Sequence, residues 1–119
     1  MWIRSAFWVG CPRSGFELAF DQAIEGELIP GLGALPGVER ARVLWPRKRE
    51  DNPPDFYCQV IVEFPDRAAM DTMLASPGRV AMRSRVLEVA TLFGGHLSHI
   101  DFEVGKVPHT PSQSTGEIA

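Results

Sequence analysis

The segment GFELAFDQAIEGELIPGLGALPGV, residues 15–38, constrains the fold more than any other part of the chain. Its apolar residues recur at the spacing of one helical face, while acidic residues occupy much of the remaining arc. Ser14 and Glu17 have the spacing of a capping box, which predicts that the helix begins at Gly15. Pro30 and the glycines and prolines after it predict the end of the helix and a tight turn into a strand. The segment therefore predicts an early βαβ-type crossover.

Four stretches rich in β-branched, aromatic or alternating residues predict strands. They are Trp2–Val9, Val38–Trp45, Phe56–Phe64 and His96–Val104. Asp66 predicts the cap of a second helix, and Pro77 predicts the start of a third helix that ends at Gly94-Gly95. The order βαββαβ is the ferredoxin-like pattern of an α+β protein, with an antiparallel four-stranded sheet in the order 4-1-3-2.

Length and composition indicate one globular domain. The chain has 119 residues, and we expect a domain at 1–104 followed by a flexible tail at 105–119, which is rich in proline and hydroxyl residues. A net charge of -3 gives the chain no general attraction to nucleic acid. The first apolar stretch is too short for a signal peptide or a membrane span, so we expect a cytoplasmic protein without a membrane partner.

Strand alternation divides the predicted middle hairpin into two faces. The face assigned to the helices carries Ala41, Val43, Trp45, Phe56, Cys58, Val60 and Val62. The other face mixes large apolar side chains with charges, as Arg42, Tyr57, Ile61 and, on the fourth strand, Leu97 illustrate. Such a surface is typical of a face covered by a partner, so we expect a homodimer. A solvated face with scattered hydrophobic residues is the alternative.

Several short motifs, taken in their order and spacing, resemble a known group of proteins. They are Gly15-Phe16, Leu35-Pro36-Gly37-Val38, Phe64-Pro65-Asp66, Phe93-Gly94-Gly95 and His99-Ile100-Asp101-Phe102-Glu103-Val104. With them the chain resembles the dimeric α/β-barrel superfamily, within it the EthD-like group, and more narrowly the REDY-like proteins associated with prodigiosin-type pigment pathways. The resemblance implies that two ferredoxin-like sheets pack face to face.

The resemblance does not imply a single activity. The superfamily includes cofactor-free monooxygenases, decarboxylase-like, cyclase-like and haem-degrading enzymes, and proteins without known activity, so the fold does not settle the function. We expect no cofactor. Haem binding is an alternative that the resemblance permits, and it would need His96 as the axial ligand.

The resemblance also implies a ligand cleft between the sheet and the helices. Polar or aromatic groups that interrupt its apolar walls are the candidates for ligand binding, and they are Trp45, Cys58, Ser98 and Ser5. A pocket of this composition suits a small apolar metabolite. The alternative is that these side chains only pack in the core.

The histidines of the fourth predicted strand are the candidates for acid–base catalysis. His96 and His99 lie three residues apart and therefore point to opposite faces, which does not favour a shared metal ion. Alternation places His96 in the cleft and His99 with Asp101 on the partner face, but a bulge near Gly95 would exchange them. His99 and Asp101 can form an acid–base pair. Alternatively, Asp101 or Glu103 pairs with Arg4 across the sheet.

These observations predict a homodimer that binds a small apolar or aromatic metabolite in secondary metabolism. The protein either acts on this metabolite without a cofactor or serves as a non-catalytic carrier or assembly module for a biosynthetic enzyme. A basic cluster on the third predicted helix, formed by Arg79, Arg83 and Arg85, is interpreted as a solvated helix face.

Overall fold

A computed structural model describes residues 1–106 of the protein. Its strands are β1 (Trp2–Pro12), β2 (Arg40–Leu44), β3 (Cys58–Phe64) and β4 (Phe93–Glu103). They form one antiparallel sheet in the order β2-β3-β1-β4, which confirms the predicted ferredoxin-like topology. The predicted tail at 105–119 lies, beyond Lys106, outside the described residues.

The helices lie on one side of this sheet. They are α1 (Glu17–Ala23), which continues through a π-helical turn (Ile24–Leu28) into α2 (Ile29–Gly33), then α3 (Arg67–Leu74) and α4 (Pro77–Ala90). Within residues 1–106, none of the helices has the length and hydropathy that a membrane span requires.

The start of α1 differs from the prediction. Ser14 makes no cap, and the helix begins at Glu17, with Phe16 in the N-cap position. The Glu17 carboxylate instead accepts a hydrogen bond from the backbone N–H of Gly15 at 3.0 Å. Gly15 has a φ of +89°, and this left-handed residue turns the chain before the helix begins.

Pro30 does not end the helix, contrary to the prediction from the sequence pattern. The N–H of Ile29 donates to the carbonyl of Ile24, a bond that spans five residues and widens the helix into a π turn. Pro30 then falls in the first turn of α2, directly after the π turn. The helical chain therefore runs on to Gly33.

The starts of the later helices follow the prediction. Asp66 accepts a hydrogen bond from the N–H of Ala69 at 2.8 Å, and Ser76 accepts one from the N–H of Arg79 at 3.3 Å. The end of α4 differs, because this helix stops at Ala90. β4 begins soon afterwards and carries the predicted helix end, Gly94-Gly95, inside a strand.

The core lies between the helices and the helix-facing side of the sheet. Trp8 is its centre and packs edge-on against Phe20 and Phe93, with ring centroids 5.1 and 5.3 Å away. A second group of buried residues surrounds Phe64. Cys58, Val60 and Val62 point into these clusters, as alternation along β3 predicts.

Alternation fails for residues that precede the regular part of β3. Phe56, predicted on the helix side, packs against Phe7 on the opposite side of the sheet at 5.3 Å. Tyr57, predicted on the partner side, packs against Phe20 in the core at 5.7 Å. Regular pairing begins only at Cys58, so the period of two does not extend backwards to these positions.

Candidate functional site

A cleft of about 330 Å³ lies between the sheet and the helices that cover it. Its floor contains Trp8, Val60 and Leu97 from three neighbouring strands, and helical side chains such as Leu28 and Met82 close it from the other side. Its walls are mostly apolar. This volume and this lining are typical of a site for a small, largely apolar molecule.

All ionisable side chains that line the cleft are basic. They are Arg4 of β1, His99 of β4, and Arg79 and Arg83 of α4. Arg79 and Arg83 lie four residues apart, about one helical turn, and therefore share one face of α4. Among residues 1–106, neither of them forms an ion pair with a carboxylate. The cleft is thus locally positive in a chain whose net charge is -3.

Arg4, Asp101 and His99 form a polar group on the sheet side of the cleft. Arg4 lies opposite Asp101 in the strand register, and its Nη1 donates to both carboxylate oxygens at 2.9 and 3.1 Å. This confirms the predicted cross-strand pair with Asp101, although the pair lies on the helix-facing side and not on the partner face. His99 is two residues from Asp101 along β4 and therefore shares its face.

The surroundings of His99 favour its neutral form. Partial burial and the positive charge of Arg4 lower the pKa of His99, and the charges of Arg79 and Arg83 act in the same direction. Asp101 acts in the opposite direction but does not outweigh them. A neutral imidazole can accept a proton near pH 7, as a general base must.

His96 and Ser98 do not face the cleft. His96 lies opposite Val9 and Ser98 opposite Phe7, on the side of the sheet that no helix covers within residues 1–106. Leu97, predicted on the partner face, lies opposite Trp8 and lines the cleft. The predicted assignment of faces on the fourth strand is therefore wrong. Apolar residues occur on both sides of β4, so the hydrophobic pattern alone does not identify the side that the helices cover.

The other predicted ligand-binding residues also lie outside the cleft. Ser5 is on the uncovered side and accepts a hydrogen bond from Gln59 at 3.1 Å. Cys58 is fully buried, and this burial raises the pKa of its thiol to about 12, so the thiol is not reactive. Trp45 packs edge-on against Tyr57 at 5.9 Å, beside the core.

The sequence interpretation missed the contribution of α4. Arg79, Met82, Arg83 and Val86 all line the cleft. Their spacing of three and four residues was a usable signal, because it places two arginines on the same face as two apolar residues. A fully solvated basic face would not carry such residues between its charges.

The described residues contain no cluster of metal-binding side chains, and the histidine that was expected to bind haem lies on the other side of the sheet. Within residues 1–106, no three His, Cys, Asp or Glu side chains lie close enough together to hold a metal ion. His96, the axial ligand that haem binding was expected to use, faces away from the cleft. The cleft volume of about 330 Å³ is at the lower end for small-molecule sites.

Comparison with known proteins identifies the fold. No protein-family model matches the chain, and no curated protein sequence matches it significantly. Solved structures do match. An ethyl tert-butyl ether D (EthD) family protein from Bacillus halodurans superposes with a TM-score of 0.70 at 15% identity, over 88% of this chain and 99% of the other. A dimeric ferredoxin-like protein of unknown function from Jannaschia superposes with a TM-score of 0.61 at 18% identity, over 87% and 100%.

The fold is ferredoxin-like. A third structural relative is SnoaB from Streptomyces nogalater, a cofactor-independent oxygenase whose structure is that of a mutant. It superposes with a TM-score of 0.55 at 18% identity, over 92% of this chain and 95% of the other. Fold similarity at this identity shows a shared architecture, and the function must be argued from the cleft itself.

Proposed function

We propose that this ferredoxin-like protein binds a small aromatic or apolar metabolite in its cleft and acts on it without a cofactor. The observation that carries the proposal is the apolar cleft with a single polar group, Arg4, Asp101 and His99, on its sheet side. Apolar walls bind and desolvate the ligand, while the few polar atoms orient it. The cofactor-independent oxygenase activity named for SnoaB supports the same kind of chemistry.

In this proposal His99 is the catalytic residue. Its neutral imidazole takes a proton from an acidic C–H or O–H group of the bound ligand, and the electron pair of that bond stays on the ligand. The nearby carboxylate of Asp101 stabilises the imidazolium that results, because an opposite charge favours the protonated form. In this proposal Trp8 and the aliphatic walls contact the apolar body of the ligand.

The second candidate is a non-catalytic carrier or assembly module. One observation favours it: the ionisable groups that line the cleft are all bases, and among residues 1–106 no carboxylate lines the cleft opposite His99 as a second acid–base group. Both candidates use the same cleft and differ only in turnover. The narrower link to REDY-like proteins and prodigiosin-type pathways stays a prediction that rests on the sequence motifs alone.

We further propose that the protein is a homodimer formed through the uncovered side of its sheet. Within residues 1–106 no helix covers this side, although Phe56 from the loop before β3 packs against Phe7 there, and Leu44, Ile100 and Phe102 remain 43%, 48% and 42% exposed. Large apolar side chains exposed on one face of a sheet are typical of an interface. The dimeric relative from Jannaschia supports this assembly.

A cleft-filling variant tests the binding site. Ala6→Leu adds bulk to the cleft floor between Val60 and His99, so binding of the neutral probe 2-naphthamide should fall by at least about tenfold. Isothermal titration calorimetry measures this change. Ala68→Leu, on the exposed surface of α3, is the matched control and should bind as the wild type does. Equal binding by both variants would contradict the proposed site.

A further inference from the structure

We propose that the ligand carries a carboxylate, and that Arg79 and Arg83 of α4 recognise it at the cleft. This inference rests on the proposed function, because it names the chemical class of the molecule that the apolar cleft would take. An aromatic or apolar carboxylate would place its body against Trp8 and Leu97 and its negative charge beside the two guanidinium groups.

The first argument is the pairing of arginines in this protein. Arg40 and Arg42 share Glu63, Arg67 pairs with Asp71, Arg85 pairs with Glu27 and Glu88, and Arg4 pairs with Asp101. Arg79 and Arg83 have no such pair within residues 1–106, whereas Arg85 on the same helix has two. Arg13, Arg47 and Arg49 also lack an ion pair in this part of the chain, but they lie outside the cleft. Of the three arginines on α4, the two that line the cleft are therefore the two without a carboxylate partner in the described part of the chain.

The second argument is the composition of the cleft wall. Arg79 and Arg83 stand among Met82, Val86 and Leu87, and no carboxylate lines the cleft in the described part of the chain. A ligand that covers this apolar wall excludes water from it, and its anion then interacts with the guanidinium groups more strongly than it would in bulk water. The charge of Arg4 is already neutralised by Asp101, so the net attraction for an anionic ligand comes from the two arginines of α4.

The third argument is geometric. Two arginines one helical turn apart present planar guanidinium groups on the same side, and guanidinium groups match the planar carboxylate through paired hydrogen bonds. Their charges also reach His99 across the cleft, since both of them help to lower its pKa. A carboxylate held by these arginines therefore lies close to the base that the proposed function uses.

The test compares two nearly isosteric probes, 2-naphthoate and 2-naphthamide, which differ in charge. The wild type should bind 2-naphthoate at least about tenfold more tightly, as expected for hydrogen bonds to a charged group. In the double variant Arg79→Gln/Arg83→Gln this preference should disappear, while the affinity for 2-naphthamide should not change. Arg85→Gln removes the same kind of charge from the same helix outside the cleft and should keep the preference.

A second readout separates recognition of the charge from general electrostatic attraction. The groups that face His99 are Arg4, Asp101, Arg79 and Arg83, and a carboxylate bound among them adds a negative charge. Because a negative charge favours the imidazolium, 2-naphthoate should raise the pKa of His99 in an NMR titration, whereas 2-naphthamide should not. In the double variant the pKa of His99 should no longer respond to 2-naphthoate.

The possible results distinguish this inference from the proposed function. Equal affinities of the wild type for both probes, or an unchanged preference in the double variant, would overturn the inference and leave the apolar site standing. If the folded double variant lost the same amount of affinity for both probes, the inference would also be overturned. The arginines would then contribute to binding only through packing. If neither probe binds to the wild type, the proposed site and the inference both fail.

Discussion

The two sides of the same four-stranded sheet differ in how their charges are satisfied. On the uncovered side Glu63 is 4% exposed and accepts hydrogen bonds from Arg40 at 3.1 and 3.2 Å and from Arg42 at 3.1 Å. On the helix-facing side Arg79 and Arg83 line the cleft and form no ion pair within the described residues. An arginine that is already paired with a carboxylate stabilises the fold, whereas an unpaired arginine beside an open apolar cleft can bind a ligand.

The two sides also differ in what covers their apolar residues. Helices cover Trp8, Val60 and Leu97 and leave a cleft above them. Ile100 and Phe102 remain 48% and 42% exposed in the part of the chain that the structure describes. Apolar residues on the helix-facing side are therefore suited to ligand binding, and those on the uncovered side to subunit association.

Substitution of the two histidines of β4, one on each side of the sheet, should show the largest difference in effect between the two sides. For turnover of a ligand bound in the cleft, His99→Ala should lower the rate by roughly 10²–10⁴-fold, the usual contribution of general acid–base catalysis. His96→Ala, on the other side of the sheet, should leave the rate unchanged. Steady-state kinetics of both variants measures this. A normal rate for His99→Ala would leave the carrier or assembly module as the better candidate.

The proposed interface should respond strongly to a buried charge. Ile100→Asp should dissociate the dimer and raise its dissociation constant at least about a hundredfold, because an unpaired charge in a desolvated interface costs several kcal/mol. Light scattering and analytical ultracentrifugation measure the mass. Ile61 is a less informative site, since it is 7% exposed and a charge there would also destabilise the single chain.

Leu18→Asp is the matched control for the interface. Leu18 is 69% exposed on α1 and lies away from the uncovered side of the sheet, so this variant should remain dimeric. A wild-type protein that is monomeric at micromolar concentration would refute the proposed dimer. So would an Ile100→Asp variant that keeps the wild-type mass.

The Glu63 cluster should give a smaller effect that depends on pH. Hydrogen bonds from Arg40, together with the charge of Arg42, hold the pKa of Glu63 below its ordinary value of 4.5. The folded-state pKa is thus below the unfolded one, so the stabilisation is present above about pH 4.5 and is lost as the pH falls through the folded value. Glu63→Gln should lower the melting temperature by a few degrees at pH 7.

The difference in melting temperature should shrink as the solution becomes more acidic. Thermal unfolding of the wild type and of Glu63→Gln, followed from neutral to acidic pH, measures this convergence. Asp71→Asn removes a carboxylate from an exposed pair with Arg67 and should change stability little at any pH, because exposed ion pairs contribute little. A constant difference between wild type and Glu63→Gln over the whole range would contradict the linkage.

Interactions between residues close in sequence allowed much of this fold to be predicted. Asp66 and Ser76 each accept a hydrogen bond from the N–H three residues later, and this geometry requires only neighbouring residues. The strand order of the sheet also agrees with the prediction, since a βαββαβ succession with short connections has few antiparallel solutions. Pro30 and Ser14 are exceptions among the local signals. A π turn accommodates the proline inside the helix, and Ser14 makes no cap.

The faces of the strands depended on the tertiary structure. His99 and Ser98 are neighbours in sequence, and which of them reaches the cleft is set by the pairing of β4 with β1. A shift of one residue in this pairing would exchange the two faces of β4. Because both faces carry apolar residues, the hydrophobic pattern does not indicate which one packs against the helices. The sequence by itself thus determined the elements and their order. Only the packed structure decided that Arg4, Arg79, Arg83 and His99 meet at one cleft, because their meeting depends on contacts between distant parts of the chain.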